Sequence, residues 1–436
     1  GYAPDVPMSL RGSRRRAEVG VLVLAASVRL AHLAAKWNHP LRFSDAFYYS
    51  QLARQPWEGR WFRELMGNQP SAEHVPLPSL LFALLSWMDD FVRWQRLVTV
   101  LTGLALVWVI MRLADRVSGP RVAVVAGTIA AVYPNLWVND GLVMSESISM
   151  LLVALALWAG WTAVDDDRRS MAIGWGLALG LGVLSRSEVV FVAALLLVVV
   201  AVARHRAARR IVPVVIAAAV AGAVVAPWVV SNLTRFERPV VLSTNDGTTW
   251  AGSNCDAAYY SEVTGGWTIL CVSNYPDTDP SVRSARYRAD AFDYARQHLR
   301  RIPVVVAARI ARTVDLYGFA DMVRVDVGDE RPEWVIWSGI ASFWVLAPLA
   351  VFGWLRSRRR TRVVLAVPVV TVLLVAAAFY GGHRIRSSAE PALVVLSERL
   401  TNSAAFGALF REGMDLVEET AAYLDGAGRA DRPGRA

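Results

Sequence analysis

The residues best suited to chemistry lie in short polar breaks of an otherwise apolar chain. Asp45 stands in Phe43-Ser44-Asp45-Ala46-Phe47-Tyr48-Tyr49, with aromatic residues on both sides. A carboxylate fixed beside such a face can take a proton from a hydroxyl. On position alone, a solvated loop carboxylate is the plainer reading. Glu73-His74-Val75-Pro76-Leu77-Pro78 then sets an acid beside an imidazole. Two donors fall short of a full metal site, so Glu73 and His74 leave room for a divalent metal without requiring one. The prolines after them are expected to limit helix and force a turn onto 79–88.

Asn139, Asp140 and Glu146 form the next polar break. Ionisable groups at the mouth of a bundle face a polar cavity, because lipid penalises them by about 3 kcal/mol each. Alternatively, Ser145 and Glu146 cap the helix that follows. Arg186 and Glu188 interrupt the apolar stretch 172–203, and either mutual pairing or an anionic headgroup satisfies them. His383, Arg384 and Arg386 follow the last long apolar run, on the side opposite to the other Arg clusters. Forked guanidinium donors at that place suit phosphate, with general attraction to anionic lipid as the alternative. The chain has no Walker A, HExxH or GxSxG sequence, so the energy for a reaction must arrive with the substrate.

These groups must be positioned by membrane helices. Of 436 residues, 55% are hydrophobic and 19% charged, and the apolar residues are clustered in runs such as 172–185, 189–203, 211–230 and 363–379. Several runs approach the roughly 20 residues a helix needs to cross a bilayer. This excludes a disordered chain, a disulfide-framework secreted domain and an ordinary soluble enzyme. The net charge of +9 is almost wholly Arg, with Lys36 the only lysine. Its short clusters between apolar runs speak for membrane topology and against nucleic acid as a partner.

Positive-inside reasoning keeps a tail over 1–17 in the cytoplasm and makes the first apolar run an anchor. Nine crossings follow, near 18–35, 96–113, 121–137, 143–163, 172–185, 188–203, 211–231, 333–355 and 363–380. A tenth after Glu390 is interrupted by Glu398 and Arg399. The expected fold is an all-α polytopic bundle of about 9–11 transmembrane helices. It divides into a core over 18–231 with an outside loop at 36–95, an extracytoplasmic region over 232–332, C-terminal helices over 333–410 and a polar tail over 411–436. Trp37, Trp57, Trp61 and Trp87 suit amphipathic helices lying on the membrane surface. Cys255 and Cys271 are able to form one disulfide if their segment faces an oxidising compartment.

Taken in order, these motifs resemble the GT-C glycosyltransferases that use polyprenyl-phosphate sugars. The resemblance runs over about residues 18–395. It is carried by Ser44-Asp45-Ala46-Phe47-Tyr48-Tyr49, Glu73-His74-Val75-Pro76-Leu77, Tyr133-Pro134-Asn135 with Ser145-Glu146-Ser147, and Leu184-Ser185-Arg186-Ser187-Glu188. Ala226-Pro227-Trp228, Leu242-Ser243-Thr244-Asn245-Asp246-Gly247, and Gly382-His383-Arg384-Ile385-Arg386 with Glu390-Pro391 continue it. The branch is that of dolichyl-phosphate-mannose protein mannosyltransferases and bacterial aminoarabinose lipid A transferases. Ala46 and Val75 depart from its pattern, which often has an acid and a second proline at those places.

The resemblance implies inverting transfer of a monosaccharide from a polyprenyl phosphate to a hydroxyl of a glycan, lipid or protein. It also implies a multi-pass protein of the inner (plasma) membrane with an extracytoplasmic site. Asp45 is then the base. His74, Arg186, Arg384 and Arg386 bind the departing lipid phosphate, while Glu73, Tyr48, Asp140 and Glu146 orient the acceptor or support the site. The rival expectation is a lipid or polysaccharide transporter or flippase, although no internal repeat is seen. An inactive scaffold is a third.

Overall fold

The structure is a computed structural model that describes residues 8–273, 275 and 278–398, with side chains from residue 14. Among the described residues it is helical throughout, with one isolated β-bridge between Arg63 and Pro70. Apolar solvent leaves backbone N–H and C=O groups no partner except each other, so long Val/Leu/Ala runs close into helices.

In chain order the helices that matter here are α1 (Met8–Lys36), α2 (Asp45–Arg54), α3 (Leu77–Ala83), α4 (Phe91–Ser118), α5 (Pro120–Val132) and α6 (Glu146–Ala163). They continue with α7 (Arg169–Ser185), α8 (Val189–Arg206), α9 (Val212–Arg235), α10 (Asn245–Ser253), α11 (Pro280–Gln297) and α12 (Ile302–Thr313). The last are α13 (Phe319–Gly328), α14 (Glu333–Leu355), α15 (Arg359–Ala378), α16 (His383–Arg386) and α17 (Glu390–Ser397). By length and composition seven of them suit a membrane crossing, namely α1, α4, α6, α8, α9, α14 and α15. The shorter apolar helices α5 and α7 stand at the other two expected crossings.

Two boundaries differ from the expectation, both for backbone reasons. The helix expected over 121–137 ends at Val132, because Tyr133 precedes Pro134 and takes extended backbone (φ −66, ψ 115). The prolines after His74 start a helix instead of preventing one. Pro76 precedes α3 and Pro78 lies in its first turn, where a missing N–H costs nothing. The chain beyond Glu398, including Arg399 and the tail 411–436, lies outside the described residues.

Helices α7 and α9 pack closely because Gly176 and Gly180 offer no Cβ. At Gly176 a Cβ would meet the Ala217 backbone, so small residues one turn apart set the contact. The two ends of the bundle carry different ion pairs. At one end Arg14 pairs with Asp115 at 2.8 Å and Arg204 with Asp167. At the other end α2, α3 and α10 to α13 form a layer over the bundle. The two long polar segments are stitched together there by Thr244 N to Ala72 O (2.8 Å) and Arg235 Nη2 to Ser71 O (2.8 Å). Cys255 and Cys271 are disulfide-bonded within this layer. Trp57, Trp61 and Trp87 are exposed on it.

Beneath the layer, Asp140 is fully buried and lies 2.7 Å from the equally buried Arg29 of α1. Arg29 also donates to the Ala25 and Ala131 carbonyls, and Ser147 donates to Asp140 at 2.6 Å. Removing one partner leaves a buried charge uncompensated. Asp140→Ala is therefore expected to cost about 3–5 kcal/mol in thermal unfolding of the detergent-solubilised protein, and the apolar double replacement Arg29→Met with Asp140→Leu to recover most of it.

Candidate functional site

Asp45 is the first residue of α2, and Ser44 caps that helix by accepting from the Ala46 N–H at 3.3 Å. The buried face of α2 (Ala46, Tyr49 and Ala53) packs with Phe82, Leu142, Val143 and Ile148. This packing fixes where the helix begins, and the positive end of α2 favours a carboxylate there. The chain returns to the same place 339 residues later, where Arg384 Nη2 donates to Asp45 Oδ2 at 2.7 Å.

Arg384 is held by a close approach of backbones. Gly381 N–H donates to Gly265 O at 2.8 Å, and a Cβ on Gly381 would collide with the Arg309 carbonyl oxygen. From α16 the Arg384 guanidinium serves three carboxylates: Asp45, Glu146 Oε1 through Nε at 2.7 Å, and Asp329 Oδ2 through Nη1 at 3.3 Å. Glu146 in turn accepts from Arg186 at 3.0 Å, and Arg186 also pairs with Glu188 at 2.5 Å. Ser145 makes no helix cap; its hydroxyl accepts from Arg186 at 3.3 Å. His74 Nε2 lies 3.6 Å from Asp45 Oδ1, with its ring between those of Tyr48 and Tyr49.

Burial works against the charge on Asp45, but Arg384 and His74 outweigh it and hold the carboxyl well below the usual range. Burial likewise opposes the His74 cation, yet the Asp45 carboxylate raises that imidazole above its ordinary value. Glu73 is pushed upward, first by burial and then by the charge of Asp45. Burial also raises Asp329 despite its arginine partners.

These groups line one cavity of about 680 Å³. Asp45, Tyr48, Glu73 and Arg384 face it on the polar side, and Phe43, Phe47, Met322 and Val325 give it an apolar side. His74 and Arg186 stand directly behind this wall through their partners. Two residues expected here lie elsewhere. Arg386 is buried against the Phe343 ring and pairs with Asp315 and Glu390, each at 2.6 Å, so its fork is already filled. Asp140 is committed to Arg29 below. Asp329, Asp326, Arg331 and Tyr380 belong to the site and were not singled out from sequence. The acid-rich run Asp326-Val327-Gly328-Asp329-Glu330-Arg331 at the edge of an apolar segment was the available signal.

Glu73 and His74 do not form a metal site with their surroundings. Among the described residues no group of three or more His, Cys, Asp and Glu side chains is placed to hold an ion.

On the wall of this cavity, His383 sits between two carboxylates, with Nε2 at 2.6 Å from Asp315 and Nδ1 at 2.6 Å from Asp326. Burial alone would lower the imidazole, but the two carboxylates raise it from 6.5 to about 9.

Residues 73–230 match a family model described as dolichyl-phosphate-mannose-protein mannosyltransferase. The matched segment holds Glu73, His74, Asp140, Glu146 and Arg186. Residues 397–435 match a family described as a protein of unknown function. No curated protein matches. Among solved structures, the Archaeoglobus fulgidus oligosaccharyltransferase in its apo form aligns at TM-score 0.53 and 15% identity, over 92% of this chain and 52% of that one. The oligosaccharyltransferase AglB from the same organism, solved with an inhibitory peptide and a dolichol-phosphate, aligns at 0.52 and 13%, over 91% and 51%. ArnT from Cupriavidus metallidurans bound to undecaprenyl phosphate aligns at 0.45 and 16%, over 87% and 78%. The chain thus shares the fold of the archaeal oligosaccharyltransferase and spans about half of that enzyme's length.

The His383 cluster gives a pH signature. Because the folded imidazole is raised, its contribution is complete below about pH 6.5 and is lost as pH climbs through about 9. Unfolding free energy across that window is expected to fall by roughly 3 kcal/mol more in the wild type than in His383→Asn, where the likewise raised His74 leaves a residual slope of the same sign.

Proposed function

We propose that this chain is an integral-membrane glycosyltransferase. It moves a monosaccharide from a polyprenyl phosphate to an acceptor hydroxyl at the extracytoplasmic face of the inner (plasma) membrane. The observation that carries the reading is the meeting of Asp45 and Arg384 at 2.7 Å on the wall of a half-polar, half-apolar cavity. The match of 73–230 to the mannosyltransferase model supports it, as does the fold shared with an oligosaccharyltransferase solved with a dolichol-phosphate.

In this reading the acceptor oxygen attacks the anomeric carbon and its proton passes to Asp45. The bond between that carbon and the phosphate oxygen breaks, and its electron pair leaves on the polyprenyl phosphate. Arg384 and His74 neutralise the charge that develops there, and Arg186 stiffens the wall through Glu146. The sugar inverts because attack and departure take opposite faces.

The resting site has a consequence for this step. A carboxylate paired with arginine is a weak base, since the pairing depresses its proton affinity. An arriving phosphate competes for the Arg384 fork. Once Arg384 turns to the phosphate, Asp45 keeps only the more distant His74 and regains part of its basicity, so the base strengthens when a donor is present. The apolar wall of Phe43, Phe47, Met322 and Val325 receives the start of the lipid chain.

The sidedness follows from charge. Arg14, Arg112, Arg204 and Arg360 gather at the end of the bundle opposite Asp45, the end that positive-inside topology keeps in the cytoplasm. A cysteine at the exposed Glu237 is expected to react with an impermeant maleimide from outside intact cells. Labelling only after permeabilisation would reverse the orientation.

Purified protein supplied with radiolabelled polyprenyl-phospho-sugars and cell-envelope acceptors is expected to transfer label. Asp45→Asn should lower kcat by about 10²–10⁴-fold with donor binding kept. Arg384→Gln should weaken donor binding as well as turnover. Equal transfer by wild type and Asp45→Asn removes Asp45 from its role. Lipid movement across vesicles with no transfer from any donor favours a transporter.

A further inference from the structure

A second cavity of about 180 Å³ adjoins the first, and Glu73 and Thr248 line both. Its lining differs in kind. Where the first cavity has an apolar side, this one is walled by the hydroxyl-bearing Ser71, Thr244, Thr248 and Ser284 together with Glu64 and Glu73. We propose that it is the subsite for one sugar ring that bears no negative charge and that Thr248 and Glu73 select the ring. The inference rests on the transferase reading above and names the substrate class of the same site.

Three observations carry it. The cavity's cation is already used, because Arg283 is ion-paired with Glu64, so no free positive charge remains for a phosphate or a uronate. Among the described residues Glu73 has no ion pair, and the one hydrogen bond it takes part in is accepted by its backbone oxygen from Ser243 Oγ at 2.5 Å. Its carboxylate, exposed to the cavity, is thus left to accept from a ligand, and a carboxylate among hydroxyls suits the vicinal hydroxyls of a sugar. Finally, the pocket is wired to the reacting centre. Ser71 Oγ hydrogen-bonds the Tyr48 hydroxyl, the Tyr48 ring packs on His74, and His74 lies 3.6 Å from Asp45. A ring seated against Ser71 and Glu73 is therefore linked to the base through Tyr48 and His74 and opens, past Glu73 and Thr248, into the cavity that Asp45 lines, where the donor's anomeric carbon and the acceptor's hydroxyl must meet.

Thr248 stands at the junction on α10 and lines both cavities, so a large side chain there narrows the passage between them. The test uses the purified full chain, a short-chain polyprenyl phosphate without sugar, and the mannosyl, glucosyl and glucuronyl phosphodiesters of the same lipid. Methyl mannoside and methyl glucoside serve as acceptor probes, read by saturation transfer.

If the ring is the donor's, wild-type protein binds a neutral glycosyl lipid at least tenfold tighter than the bare phosphate. Thr248→Trp then abolishes that preference while bare-lipid affinity stays within twofold. If the ring is the acceptor's, the lipids bind alike and the methyl glycoside signal is present in wild type and absent in Thr248→Trp. Should Thr248→Trp lose bare-lipid binding through misfolding, Glu73→Gln is read in the same two arms, with a tenfold loss expected. Wild-type values for the folded variants in both arms overturn the proposal, as does glucuronyl lipid bound as tightly as the neutral ones. Sugar binding that responds to these variants without any wild-type transfer overturns the transferase reading alone. Normal transfer by Thr248→Trp overturns the subsite alone.

Discussion

One guanidinium organises the site. Arg384 holds Asp45 from the first outside segment, Glu146 from the start of a bundle helix and Asp329 from the end of a surface helix. These carboxylates are remote in sequence and would repel one another without a cation among them. A planar fork with five donors serves three of them at once, which an ammonium on a flexible stem would do poorly. The arrangement is costly to desolvate. It persists because each charge has a partner of the opposite sign and further hydrogen bonds around it.

The surrounding buried charges extend the same logic. His383 ties Asp315 to Asp326, Arg331 joins Asp326 to Asp329, and Arg386 joins Asp315 to Glu390. Arg96 reaches Glu330 at 2.9 Å. Together they form a layer between the apolar bundle and the surface helices. Apolar packing is non-directional and leaves the surface helices free to slide over the bundle, whereas ion pairs with set geometry fix their register. The layer thus holds α2 and α16 at the separation that Asp45 and Arg384 need.

Much of this was legible in the sequence, and for definite reasons. Apolar runs at bilayer length gave the helices, and Pro227 and Pro348 did not hide theirs because neighbouring turns still close. The placement of Arg384 opposite the other Arg clusters singled it out, and the fold brings it to Asp45. Arg386 could not be told from it, because two residues on a one-turn helix share composition and differ only in where their side chains lead. Asp140 looked like a site residue, since nothing local reveals that Arg29, a hundred positions earlier, takes it. Asp329 was passed over because its role depends on a fold that brings 329 to 45. The helix at Leu77 was missed because prolines stop helices inside but suit their first turn.

The joint between Gly265 and Gly381 has an implication for how such a protein can diversify. Two bare backbones meet there, and no larger residue fits at Gly381. The seam is therefore fixed in composition, while solvent-exposed positions on the surface helices around it carry no such steric limit. Replacement at those positions is able to reshape the mouth of the cavity without disturbing the contact between Asp45 and Arg384 beneath. Substrate repertoire and chemical machinery can in this way drift at separate rates within one chain.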